Sequence, residues 1–219
     1  MALPFEQLVQ VPVDPVHIEG LLALPAAPLG LVLFAHGSGS SRHSPRNNQV
    51  ARVLHARSVG TLLLDLLTVG EDLDYRTRFD IPLLTQRLQA VARWLGRQPL
   101  TDSLPLGYFG ASTGAAAALR AAAAQGPAIR AVVSRGGRPD LAGPEALARV
   151  ACPTLLLVGS LDTEVLELNR LAASHLRCPH TLGIVPGASH LFEEPGTLDA
   201  VARQAADWFE RYLRPVPGA

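Results

Sequence analysis

The sequence predicts an α/β fold. One domain, residues 1–219, is expected to hold a mostly parallel sheet of about eight strands with helices on both faces. Three observations point there. Short apolar runs alternate with helical patterns along most of the chain. Several runs are continuously hydrophobic, as strands buried on both faces are. Hydrophobic residues make up 48% of the chain and charged ones 17%, which suits one soluble globular domain with a large core.

In chain order, strands are expected in FEQLVQVPV, VHIEGLLALP, GLVLFAHG, GTLLLDLL, LPLGYFG, IRAVVSRGG, PTLLLVGS and HTLGIVPG. Helical periodicity marks Arg46–Ser58, Phe79–Arg97, Thr113–Gln125, Val165–Leu176 and Thr197–Leu213. VPVDPVHIEG joins the first two runs without a helix, and its two prolines and Asp14 read as a hairpin connection. From the third run onward the order is strand–helix–strand, which implies right-handed crossovers and parallel pairing. Two antiparallel strands leading into a doubly wound parallel sheet is the α/β-hydrolase layout. No insertion is long enough for a separate lid domain. DLLTVGEDLDYRTRFD is the longest irregular, polar stretch, and is placed to cover part of a site.

Charge and composition exclude several classes. Nineteen acidic residues balance nineteen basic ones, so neither a nucleic-acid nor a membrane partner is expected. Every basic residue is arginine. That removes a Walker A loop, a Schiff-base lysine and a serine–lysine dyad. MALPFEQLVQVPVDP lacks the pattern of a secretory signal. No apolar run approaches the ~20 residues of a membrane span, so a cytoplasmic protein, monomer or homodimer, is expected. Cys152 and Cys178 are too few for a disulfide framework. Each precedes a proline just before a strand. They are expected as free thiols at the amino edge of the sheet, near one another and without a catalytic role. No HExxH and no paired cysteine spacing is present, so no metal or cofactor is expected.

The chemistry-bearing motif is Gly110-Ala111-Ser112-Thr113-Gly114, at a strand-to-helix junction. The flanking glycines suit a strained turn that lifts a serine hydroxyl above the strand end, at the amino end of the next helix. Free N–H groups there favour developing negative charge. Alone, the pattern is also that of an ordinary tight turn. A nucleophilic serine needs a base. Of seven histidines, His190 in VPGASHLFEEPG follows the last strand and shares the carboxyl edge with Ser112. His55 and His175 fall in helices and are expected at the surface. His180 opens a strand at the opposite edge.

The imidazole needs an orienting carboxylate. Asp162, in GSLDTEV, ends a strand at the same edge. Asp140 in GGRPD is the second candidate and Glu164 the third. An aspartate at a strand end also serves as a helix cap. The order Ser112, Asp162, His190 is nevertheless the one α/β-hydrolases use. Oxyanion donors are expected at the backbone N–H groups of Thr113 and Ser38, the latter in AHGSGSSRHSPRN. Gly37 in that loop lets the backbone approach a substrate. GSGSSR also resembles a dinucleotide loop, but Arg42 stands where the third glycine belongs. Arg42 and Arg135 are candidate substrate contacts, because a guanidinium holds a carboxylate in bidentate fashion. Arg135 is otherwise a structural tie to carbonyls or Asp140. Glu193 and Glu194 are expected to begin the capping of the last helix.

LFAHGSGSSRHSPRN, FGASTGAAAAL, AVVSRGGRPDLAG and GASHLFEEPG together resemble the small dienelactone-hydrolase-type α/β-hydrolases, including hydrolase domains fused to phosphoribosyltransferases. The resemblance covers nearly the whole chain. It implies ester, thioester or lactone hydrolysis through a covalent acyl-enzyme, with no cofactor. The dienelactone hydrolases proper use cysteine as nucleophile. Ser112 stands at that position here, which points to a general carboxylesterase acting on a small-molecule ester. No phosphoribosyltransferase segment accompanies the hydrolase-like unit. The rival readings are a non-catalytic ligand-binding protein that keeps the fold, or an acyltransferase or amidase using the same residues.

Overall fold

The computed structural model describes residues 3–214. Eight strands form one sheet: β1 (Phe5–Pro12), β2 (His17–Leu24), β3 (Leu31–Ala35), β4 (Gly60–Leu64), β5 (Leu106–Ala111), β6 (Ile129–Arg135), β7 (Thr154–Gly159) and β8 (His180–Val185). Their spatial order is β1-β2-β4-β3-β5-β6-β7-β8. β2 alone runs against its neighbours, and every other adjacent pair is parallel. The chain therefore starts as a hairpin and then winds outward in both directions from β3. All eight expected apolar runs become strands, most of them shorter than the run, with β5 reaching one residue further, to Ala111.

The helices are α1 (Pro45–Ala56), α2 (Val69–Asp72), α3 (Ile81–Leu95), α4 (Thr113–Gln125), α5 (Pro144–Arg149), α6 (Thr163–His175) and α7 (Thr197–Leu213). α1 and α7 pack together on one face of the sheet, and α3 and α4 on the other. The apolar stripes explain the division. In α7, Leu198, Val201, Ala202, Ala205, Ala206, Phe209 and Leu213 are buried on one side, against Val32, Phe34, Phe109 and Val133. α4 is buried nearly all round, which accounts for its alanines. A side chain at Gly110 would place Cβ 2.4 Å from the Cα of Ala115. Only small residues allow this helix to lie so close to β5.

Two helices were not legible in the periodicity. α2 and α5 span four and six residues, too short to repeat a pattern. The 65–80 stretch is thus partly helical. It is pinned from below by Arg87 of α3, which donates to Leu66 O at 3.0 Å and to both oxygens of Glu71, at 2.7 and 2.5 Å. The guanidinium holds the Glu71 carboxyl down at about 2. Among the described residues, no helix is long and apolar enough to cross a membrane.

Candidate active site

Ser112 sits between β5 and α4 with φ +49° and ψ −122°. A non-glycine residue rarely adopts this conformation, at a cost of about 1–3 kcal/mol. The surroundings hold it there. Ser112 O accepts N–H bonds from Ala115 at 3.1 Å and Arg138 at 3.0 Å. A Cβ on Gly114 would lie 2.2 Å from Ala35 O and 2.5 Å from His36 O. A Cβ on Gly37 would lie 2.9 Å from Ser112 Cβ. The glycines thus let two backbone segments close around the serine.

Asp162 follows β7 at the N-cap position of α6, yet its side chain makes no cap bond. Its Oδ2 lies 2.6 Å from Nδ1 of His190. The Asp162 side chain is 14% exposed and that of His190 39%. A mostly buried carboxylate thus meets a partly exposed imidazole. Asp140, the second candidate acid, is taken by Arg138, whose Nε and Nη2 reach its two oxygens at 2.9 and 2.8 Å. The His190 loop has its own brace. Glu194 Oε2 accepts the Ser189 N–H at 3.0 Å, and Glu193 pairs with Arg46 at 3.3 Å. These glutamates were expected to cap α7. The Glu194 side chain instead binds the loop and that of Glu193 reaches α1, while the Glu194 carbonyl accepts from Thr197 at the start of α7.

The expected oxyanion donors lie on adjacent loops. Among the described residues no acceptor meets the Thr113 N–H. The Ser38 N–H donates to Thr113 Oγ1 at 3.1 Å. The Thr113 hydroxyl therefore links the two loops, a role that a contact across 75 residues hides from sequence reading. His36 is a second unforeseen link. Its Nδ1 lies 2.9 Å from Gly37 O, and its Nε2 accepts the Leu66 N–H at 3.0 Å. Burial lowers its pKa, so a neutral ring with the proton on Nδ1 fits both bonds.

Arg42 differs from expectation. Its backbone N–H donates to Asp65 Oδ1 at 2.6 Å, its Nη1 bonds Asp65 Oδ2, and its Nη2 lies 2.6 Å from Glu19 Oε2. The carboxylates at the end of β4 and on β2 claim the guanidinium, so Arg42 anchors the loop instead of facing a substrate. Arg135 also differs. It ends β6, is buried, and finds no partner for Nε or Nη1. Asp140, its expected tie, belongs to Arg138. His55 is half-buried against Thr61 Oγ1 at 2.7 Å, a contact its helical position did not reveal. Cys152 and Cys178 are buried free thiols. Burial pushes Cys152 up to about 12, which leaves it protonated and unreactive.

No protein-family model matches the chain. A crystal structure of a dienelactone hydrolase from Anabaena variabilis is 53% identical, with TM-score 0.94 over 97% of this chain and 100% of that one. Two Mycobacterium tuberculosis proteins, provisionally named phosphoribosyl transferases, are 56% identical over 208 residues. The match spans 95% of this chain but 47% of each relative, so the chain spans about half the length of these curated relatives. A lidless α/β serine hydrolase from Xanthomonas campestris shares the fold at 23% identity and TM-score 0.78, covering 99% of both chains.

Proposed function

The chain belongs to the dienelactone-hydrolase-type α/β-hydrolases, and we propose that it is a serine hydrolase cleaving small carboxylic esters, thioesters or lactones through an acyl-enzyme on Ser112. One observation carries the reading. The 2.6 Å contact between His190 Nδ1 and Asp162 Oδ2 stands at the same sheet edge as a serine held at positive φ. An N-cap aspartate whose side chain makes no cap bond and faces an imidazole instead supports an orienting role for that carboxylate.

In this mechanism Nε2 of His190 takes the Ser112 proton as Oγ bonds to the carbonyl carbon. Asp162 fixes the Nδ1–H tautomer and stabilises the imidazolium. The Thr113 and Ser38 N–H groups receive the oxyanion, Ser38 exchanging the Thr113 hydroxyl for it. As the tetrahedral adduct collapses, the bond to the leaving oxygen breaks and His190 protonates that oxygen. Water then attacks the acyl-enzyme, His190 takes its proton, and the acid departs as Ser112 regains its hydrogen. Ser112 Oγ and His190 share no hydrogen bond in the structure, and such bonds tighten once substrate expels water.

The test is hydrolysis of p-nitrophenyl acetate and butyrate. The expected result is a p-nitrophenol burst of about one per chain, the signature of an acyl-enzyme, abolished by His190→Ala. A folded wild-type protein that turns over neither ester overturns the proposal.

A further inference from the structure

We propose that Arg135 and Arg46 form a binding site for a small oxyanion group at the amino end of α1, beside the candidate nucleophile. Arg135 pairs across the sheet with Ala111, and its carbonyl accepts the Ser112 N–H at 3.4 Å. Along β6 it shares a face with Ala131 and Val133, the face covered by α1 and α7. Arg135 is buried, with 8% of its surface exposed. Nε and Nη1 have no hydrogen-bond partner, and among the described residues no carboxylate forms an ion pair with it. A buried cation without a counter-charge is strongly unfavourable, so such groups are paired in nearly all proteins.

The neighbours make the lack of a counter-ion more pronounced. Arg46, in the first turn of α1, adds a second positive charge, and its Nε is also buried without a partner. Burial and that repulsion push the Arg135 guanidinium down to about 10. α1 has twelve residues. In its first turn Pro45 has no N–H, Ser44 Oγ accepts the Asn47 N–H and Ser44 O the Asn48 N–H, which leaves the Arg46 N–H as the one open donor there among the described residues. Among the described residues, the one ion pair to either guanidinium is that of Glu193 with Arg46 at 3.3 Å, and that carboxylate is 64% exposed. Guanidinium donors and a helix amino terminus together suit a carboxylate or phosphate oxygen set. Gly136, the next residue, packs under His190: a Cβ there would lie 3.7 Å from His190 Cε1. The site thus lies at the sheet edge that carries the candidate nucleophile and the candidate base, and its occupant is either an anionic tail of the substrate or a free ion.

The substrate-tail arm of the test rests on the hydrolase reading; the ion arm does not. Inorganic phosphate, titrated at constant ionic strength, is expected to raise the wild-type Tm saturably. Arg135→Met should weaken the phosphate dissociation constant by about tenfold or more, and Arg46→Met severalfold. Either variant binding phosphate as wild type does, or a wild type without the shift, overturns the site. Should Arg135→Met fail to fold, Arg46→Met decides alone. The second arm compares kcat/KM for p-nitrophenyl monosuccinate with that for p-nitrophenyl butyrate. A wild-type preference for the anionic ester that falls about tenfold in Arg135→Met supports the site and names the substrate as its source. An unchanged ratio with an intact phosphate shift supports the site with a free ion in it. Loss of all turnover with that shift intact contradicts the hydrolase and leaves the oxyanion site standing.

Discussion

The two edges of the sheet are built differently. At the amino edge the polar groups are satisfied. Tyr108 OH reaches Gln125 at 2.5 Å, Thr154 Oγ1 donates to Cys152 O at 3.1 Å, and Thr101 Oγ1 donates to Leu95 O at 2.8 Å. At the carboxyl edge lie Ser112, held at positive φ, and, among the described residues, the buried side-chain polar atoms without partners, on Arg46, Asn47, Arg87, Ser134, Arg135 and Asn169. Both edges use tight glycines and a serine at positive φ, Ser58 at the amino edge and Ser112 at the carboxyl edge, but the unpartnered polar atoms gather at the second. Such departures concentrate where a protein binds or reacts, since stability alone selects against them.

The sharpest way to break this contrast is to remove the proposed chemistry. Ser112→Ala and His190→Ala should each lower ester kcat/KM by about 10³-fold or more, because the members of such a set act as a unit. The two glycines at the ends of α4 give a structural version of the same contrast. Gly114→Ala drives Cβ into Ala35 O and His36 O, so unfolding free energy should fall by about 3 kcal/mol and turnover should go with it. Gly126→Ala meets nothing within 4 Å and suffers only from φ +55°. It should cost about 1 kcal/mol, with turnover kept. Urea unfolding beside ester turnover measures both.

Ser112→Gly, compared with Ser112→Ala, should be more stable by about 1 kcal/mol, since glycine relieves the positive φ that alanine retains. The smallest effect is on pH dependence. Burial lowers the native His36 pKa below its ordinary 6.5. The unfolded chain therefore binds a proton that the native ring resists. The contribution is complete above pH 6.5 and falls as pH drops toward the lowered native value. Burial lowers His55 in the same direction, so the reading is the difference between wild type and His36→Asn in urea midpoint at each pH. That difference should shrink from pH 7.5 to 5.5.

The fold was legible because its signals are repeated. Eight apolar runs and five long helical patterns each found their element, and the hairpin prolines marked the one antiparallel excursion. The positions of Ser112, Asp162 and His190 at one edge were legible for a related reason: each follows a strand, and parallel strands end together. What escaped was set by contacts distant in sequence. Arg42 meets Glu19 and Asp65 only after β2 and β4 become neighbours. Thr113 Oγ1 meets Ser38 across 75 residues. The choice of Arg138 over Arg135 by Asp140 was local enough to anticipate, since a two-residue spacing at a turn brings the pair together.

Reaction with a fluorophosphonate, followed by intact-mass and peptide analysis, tests the central claim most directly. A single adduct on Ser112 in the wild type, absent from Ser112→Ala and from His190→Ala, is the predicted result. An unlabelled, folded wild type, or labelling that persists in Ser112→Ala, contradicts the assignment of Ser112 as the nucleophile.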